Sequence, residues 1–217
     1  MKILVNITTY KRPKELQSLV DQLKNYDVDI IIWDDDPQAE RLENINHNTF
    51  PVHYGKKLLW QKFKQIFEVC QYKKYDYYFF LPDDVVLNNN FISEAINTWK
   101  SIDDDKKICL SLLVDQRIKK ANWTGIDPID KGNVILTQWN DLCFLCEKKF
   151  FQSFKLTEIE LTRWQKNPLL GSGVGSQISW KLLDLGFNMY NIKNKIINHI
   201  GTDSKMNPEE RKKNPLI

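Results

Sequence analysis

Cysteine is scarce in this sequence: four in 217 residues cannot staple a secreted mini-scaffold, and a chain of this length does not need staples. Glycine is also sparse, at eight residues, and follows no period, which excludes collagen and simple repeats. No run approaches the roughly 20 apolar residues that span a bilayer, so no membrane span is expected. An excess of either charge is missing too. Lys plus Arg number 31 against 28 Asp plus Glu, a formal charge of +3, so nucleic acid and anionic membranes are not the expected partners. The opening Met1-Lys2-Ile3-Leu4-Val5-Asn6 holds one short apolar run with no cleavage-type segment after it and is read as no signal peptide. The expectation is a soluble, cytoplasmic protein in a reducing compartment. Asn122-Trp123-Thr124 matches a glycosylation sequon, read here as a loop.

What is present fits one ordinary globular domain over residues 1–217. With 42% hydrophobic and 27% charged residues, the chain can bury roughly 70% of its unfolded surface and hold both a core and a cleft. Cys143 and Cys146 form a CxxC inside an apolar run with no second pair nearby. Core cysteines are the favoured reading over a zinc or redox pair.

Periodicity places the elements. Ile3 to Thr8 reads as a strand, and Leu16, Leu19, Val20 and Leu23 then recur at helical spacing, with Pro13 suited to a first turn. Val28 to Trp33 and Tyr77 to Leu81 read as buried strands, stopped by Asp34-Asp35-Asp36-Pro37 and Pro82-Asp83-Asp84. A short strand is expected near Pro51 to His53, and helices over Lys57 to Tyr72, Phe91 to Trp99 and Ser176 to Leu185, the last stopped by Gly186. Ile108 to Val114, Val134 to Leu136, Leu142 to Leu145 and Ile192 to Ile200 complete the expected strands. Alternating strands and helices with short connections predict an α/β fold, its central sheet mostly parallel in the first half. Ligands on such sheets bind beyond the carboxyl ends of the strands. Three early strands end there in polar loops, Thr9-Tyr10-Lys11-Arg12, Asp34-Asp35-Asp36 and Asp83-Asp84, which a parallel sheet brings to one rim.

Each candidate residue has a plain alternative. Asp83 and Asp84 lie between hydrophobic segments and would repel if buried unpaired, so a cation such as Mg²⁺ or Mn²⁺ is a natural partner; the alternative is a solvated turn before the helix near Phe91. Asp34, Asp35 and Asp36 read first as an exposed acidic turn and second as acceptors for a ligand. His199 is a metal ligand or a structural histidine, and Arg12 and Lys205 neutralise phosphate or are solvated. Gly171-Ser172-Gly173-Val174-Gly175 precedes a helix whose free N–H groups suit an anion, but its spacing is neither a dinucleotide fingerprint nor a Walker loop. No Ser-His-Asp order or nucleophile elbow supports a covalent hydrolase.

Together, Val5-Asn6-Ile7-Thr8-Thr9-Tyr10-Lys11-Arg12-Pro13, Ile32-Trp33-Asp34-Asp35-Asp36 and Phe80-Leu81-Pro82-Asp83-Asp84-Val85-Val86-Leu87 resemble the GT-A glycosyltransferases, especially the family-two-like group. Gly171 to Ser176 with His199-Ile200-Gly201 is similar to the later part of small enzymes of that kind from viruses and bacteria. The resemblance implies a Rossmann-like nucleotide-sugar-binding fold, with a binding half over residues 1–100, an acceptor-side half over 101–203 and a tail over 204–217. It implies that Thr8, Thr9, Tyr10 and Arg12 line the nucleotide and that Asp34 or Asp35 meets the uracil or ribose. It places Mn²⁺ or Mg²⁺ on Asp84; Asp83 and His199 are the candidates to join it. Pro82 stands where the family's metal motif has its first aspartate, which shifts load to Asp83. The implied reaction moves a sugar from a UDP-sugar to the hydroxyl of a glycan or other acceptor, with inversion, and Asp141, Glu158 and Glu160 are the candidates for the base. Trp139 and Trp164 could offer a sugar platform or simply pack. Two rivals remain: a nucleotidyltransferase, which would want a glycine-rich first loop that Thr8 to Arg12 lacks, and a non-catalytic sugar- or protein-binding module, which Pro82 keeps open.

Overall fold

The computed structural model describes residues 1–55, 58–114, 126–140, 142–153 and 173–200. In these residues the strands are β1 (Ile3–Thr9), β2 (Asp29–Asp34), β3 (Asn46–Thr49), β4 (Tyr77–Pro82), β5 (Val85–Leu87), β6 (Lys107–Ser111), β7 (Ile129–Lys131), β8 (Val134–Leu136), β9 (Phe144–Cys146), β10 (Asn188–Ile192) and β11 (Ile197–His199). The helices are α1 (Pro13–Leu23), α2 (Leu59–Tyr72), α3 (Phe91–Ser101), α4 (Lys149–Ser153) and α5 (Val174–Asp184).

A nine-stranded sheet in the order β3-β2-β1-β4-β9-β6-β10-β8-β7 forms the middle layer. Its first four strands are mutually parallel, as are β6 and β10, while β9 and β8 run against their neighbours. Both faces are covered, which is why β1 and β4 read as continuous apolar runs. Along β1, Ile3, Val5 and Ile7 pack with α1 and α3, whereas Leu4 joins the core beneath α2, α4 and α5. Along β4, Tyr77, Phe79 and Leu81 take the first face, and Tyr78 and Phe80 the second. This alternation is the period of two that a strand imposes. Asn6 is the polar exception on the second face. Its side-chain oxygen accepts from Trp33 Nε1 at 3.0 Å and its amide donates to the Phe79 carbonyl at 3.4 Å, so burial leaves it paired.

The end of α5 shows local sequence setting local structure. Gly186 has φ of +78° and follows the helix as its stop, and Gly186 N–H donates to Leu183 O while Phe187 N–H donates to Leu182 O. That paired pattern closes a helix with a left-handed residue.

Several expectations are corrected. The third strand is Asn46–Thr49, not Pro51 to His53; its polar side chains carry no alternation, and pairing with β2 at the sheet edge makes it a strand. The apolar run expected from Ile192 to Ile200 is two strands in two sheets, because β10 pairs with β6 and β8 while β11 pairs with β5. Val85–Leu87 is a strand in its own right. Cys143 and Cys146 are buried thiols outside any disulfide, and burial pushes Cys146 well up from its ordinary range, which fits core residues. No helix among the described residues is long and apolar enough to cross a membrane. The sequon at Asn122, the start of the Gly171 loop and Trp164 lie outside the described residues.

Candidate functional site

Parallel pairing aligns the strand ends. Thr9 is in register with Asp34 and Thr8 with Pro82. Just past the strands, Asp35 N–H donates to Thr9 O at 3.0 Å and Asp83 N–H to Thr8 O at 3.1 Å. The three expected loops therefore do converge on one rim.

The acidic residues there are not solvated. Asp34 is 4% exposed, Asp35 0%, and Asp83 and Asp84 4% each, which overturns the exposed-turn reading of Asp34-Asp35 and the solvated-cap reading of Asp83-Asp84. Every carboxylate is held. Asp35 accepts Tyr54 N–H at 2.9 Å and Gly55 N–H at 3.1 Å. Asp34 accepts Asp36 N–H at 2.9 Å and lies 3.3 Å from His47 Nε2. Because His47 Nδ1 accepts Leu42 N–H at 3.0 Å, the ring proton sits on Nε2 and points at Asp34. Asp36 is less buried than these two and accepts Gln38 N–H at 3.0 Å.

Asp83 accepts Thr9 Oγ1–H at 2.7 Å on one oxygen and Arg12 Nη1–H at 3.1 Å on the other. Arg12 also donates to Asp84 Oδ2, while Asp84 Oδ1 lies 3.3 Å from His199 Nε2. Burial pushes Asp83 up to about 6, against the downward pull of Thr9, Arg12 and their hydrogen bonds. For Arg12, burial disfavours the charge, but Asp84 and Asp83 outweigh it and hold the guanidinium charged. The β5–β11 pair explains how His199 arrives: His199 is in register with Val85, and Ile200 N–H donates to Asp84 O at 2.9 Å.

Tyr10 and His53 stack with ring centroids 4.2 Å apart and planes 15° apart. Asp35 fixes that stack, since its Oδ2 lies 3.0 Å from His53 Nδ1. Lys62, on α2, is fully buried beneath the same rim, with Nζ 3.4 Å from Thr9 O. Burial pulls it down to about 8, opposed by the charges of Asp35, Asp34 and Asp83. Sequence reasoning missed Lys62, His47 and His53. Lys62 did leave a signal, as a lysine one helical turn before Ile66 on the apolar stripe of Leu59, Phe63 and Ile66.

Among the described residues, four buried carboxylates face the guanidinium of Arg12 and the ammonium of Lys62, whose charge burial weakens, so the rim carries an excess of negative charge that suits a divalent ion. Among the described residues no group of three or more His, Cys, Asp or Glu side chains is arranged to hold a metal. Asp84 and His199 supply two donors 3.3 Å apart, close to the roughly 3 Å that separates neighbouring ligands in an octahedron with 2.1 Å bonds. Two protein donors fit Mg²⁺ or Mn²⁺, which keep waters and substrate phosphate oxygens in their remaining positions, and do not fit a closed structural zinc site. Asp141, Glu158, Glu160 and Lys205 lie outside the described residues. Trp139 is half-buried, and its carbonyl accepts Ser111 Oγ–H at 3.3 Å.

No protein-family model matches the sequence, and comparison with curated proteins gives no match. Solved structures do match. TarS residues 1–349 from S. aureus superpose with a TM-score of 0.54 at 12% identity, over 91% of this chain and 59% of that one. Glucosyl-3-phosphoglycerate synthase from Mycobacterium tuberculosis, solved with Mn²⁺ and UDP-glucose, gives 0.55 at 12% identity over 92% of this chain and 71% of that one. The glycosyltransferase GlyE of Streptococcus pneumoniae gives 0.50 at 10% identity, over 89% of this chain and 45% of that one. This chain thus spans about three fifths of the TarS fragment and less than half of GlyE. With its mostly parallel central sheet between helix layers, the chain has the GT-A glycosyltransferase fold.

Proposed function

We propose that this chain is a glycosyltransferase that uses Mn²⁺ or Mg²⁺ to move a sugar from a UDP-sugar to the hydroxyl of a glycan or other acceptor, with inversion at the anomeric carbon. One observation carries this reading: Thr9, Arg12, Asp83, Asp84 and His199 form a continuous chain of contacts at the carboxyl ends of β1 and β4. It is also supported by the Mn²⁺ and UDP-glucose held by a synthase of the same fold.

In this reading the loop from Thr8 to Arg12 lines the nucleotide, and Tyr10 offers the base a ring face. Asp34 or Asp35 accepts from the uracil N–H or a ribose hydroxyl. Asp84 and His199 would hold the cation, with Asp83 beside them, and when bound it would offset the charge that develops on the departing diphosphate. Arg12 and Lys205 add positive charge toward the phosphates. The acceptor oxygen forms its bond to the anomeric carbon from the side opposite the breaking sugar–phosphate bond. Its proton passes to a carboxylate, assigned to Asp141, Glu158 or Glu160.

A thermal-shift screen of nucleotide sugars with Mn²⁺, followed by donor hydrolysis, tests the proposal. A UDP-sugar that stabilises the protein and slowly releases UDP supports it, because ligand binding raises stability by mass action. Stabilisation without any hydrolysis would favour a binding module on the same fold, and no stabilisation by any nucleotide sugar would contradict the proposal.

A further inference from the structure

Arg12 occupies the gap between the two carboxylates at the tip of β4. Lys11, a non-glycine residue with φ of +53°, turns the chain at the end of β1, and Arg12 then stands at the N-cap of α1 without capping it. Its side chain, 11% exposed, is spent instead on Asp83 Oδ1 and Asp84 Oδ2. The remaining oxygens face Thr9 and His199. A cation approaching Asp84 therefore meets a carboxylate already engaged on both oxygens. Arg12 cannot yield by losing its proton, since a guanidinium stays charged at any ordinary pH. It can yield only by moving, and a charge taken from two carboxylates needs a new anion within reach of the same stem.

We propose that Arg12 is an exchangeable internal counter-ion: it bridges Asp83 and Asp84 in the free protein and transfers to the donor's diphosphate when a divalent cation takes its place. The inference deepens the glycosyltransferase reading and rests on it. The exchange makes the cation and the diphosphate mutually dependent. Either alone breaks the bridge from Arg12 to Asp83 and Asp84 and replaces only one side of it, whereas the pair together supplies a cation to the carboxylates and an anion to the guanidinium. Coupling of this kind is reciprocal, so each ligand raises the affinity of the other by the same factor. Arg12 is in this sense a positioning residue whose effect is on metal binding.

Mn²⁺ binding followed by electron paramagnetic resonance, with no donor sugar and no turnover, reads the exchange directly. In the wild type, UDP is expected to tighten Mn²⁺ binding at least about tenfold, a coupling near 1.4 kcal/mol. Arg12→Gln should bind Mn²⁺ alone at least about tenfold more tightly than the wild type and lose most of the UDP effect. Arg12→Lys, a point charge that cannot bridge in fork geometry, should fall between them. If a folded Arg12→Gln binds Mn²⁺ alone no better than the wild type while wild-type coupling to UDP persists, the exchange is wrong and the glycosyltransferase reading stands. If the wild type binds no UDP at any Mn²⁺ concentration, the underlying reading itself fails. Should neither variant fold, the side-chain Nε resonance of Arg12 in the wild type decides. A shift with Mg²⁺ and UDP together, and none with Mg²⁺ alone, supports the exchange, and an unmoved resonance overturns it.

Discussion

Lys62 Nζ lies 3.4 Å from the carbonyl oxygen of Thr9, completely buried under the strand ends that carry Asp34, Asp35 and Asp83. A helix residue thus places a cation beneath three carboxylates that the sheet alone would leave in mutual repulsion. Burial lowers Lys62 from 10.5 to about 8. Between these values the unfolded chain binds the proton and the folded chain does not, so stability contributed by this group rises with pH. Urea unfolding from pH 7 to 10.5 should show the wild type gaining about 3 kcal/mol relative to Lys62→Met across the window from 8 to 10.5, and nothing below it. A flat difference between the two proteins would show that Lys62 titrates normally.

Tyr10 stacks on His53 beside the carboxyl ends of β1 and β2, and in the proposed reading its ring meets the base. Base stacking on such a ring is worth about 1–3 kcal/mol. Tyr10→Ala should therefore weaken UDP binding roughly tenfold or more, whereas Tyr10→Phe should leave it nearly unchanged, as measured by calorimetry with Mn²⁺ present. Equal losses in both variants would assign the effect to the hydroxyl.

Gly186 closes α5 with φ of +78°, and an added Cβ would meet nothing within 4 Å. The cost of Gly186→Ala is then pure backbone strain, about 1–2 kcal/mol. Urea unfolding checks it, with Gly186→Asn expected to cost less because asparagine tolerates the left-handed region.

The site-bearing strands were legible in the sequence because β1, β2 and β4 combine apolar runs with abrupt polar stops, and parallel pairing then forces Thr9, Asp34 and Asp83 together. Gly186 was legible because a left-handed stop selects glycine. Burial of Asp34 and Asp35 was not legible, since an acidic triplet before a proline looks the same whether water or backbone N–H groups satisfy it. Asn46–Thr49 was missed because its strand character comes from the β2 edge and not from its own polar side chains. His199 was identified as a candidate, but its path to Asp84 depends on β11 pairing with β5, a contact between residues more than a hundred positions apart.

In the proposed function Asp84 links a divalent cation to a nucleotide diphosphate at this rim. Calorimetric titration of UDP into the wild type and Asp84→Asn, each with Mn²⁺ and with a chelator, tests it most directly. The expected result is wild-type affinity that falls at least about tenfold on chelation, and Asp84→Asn affinity that is weak and indifferent to Mn²⁺ while the variant remains folded. Wild-type UDP binding unchanged by chelation, or a folded Asp84→Asn that keeps the full Mn²⁺ effect, would contradict it.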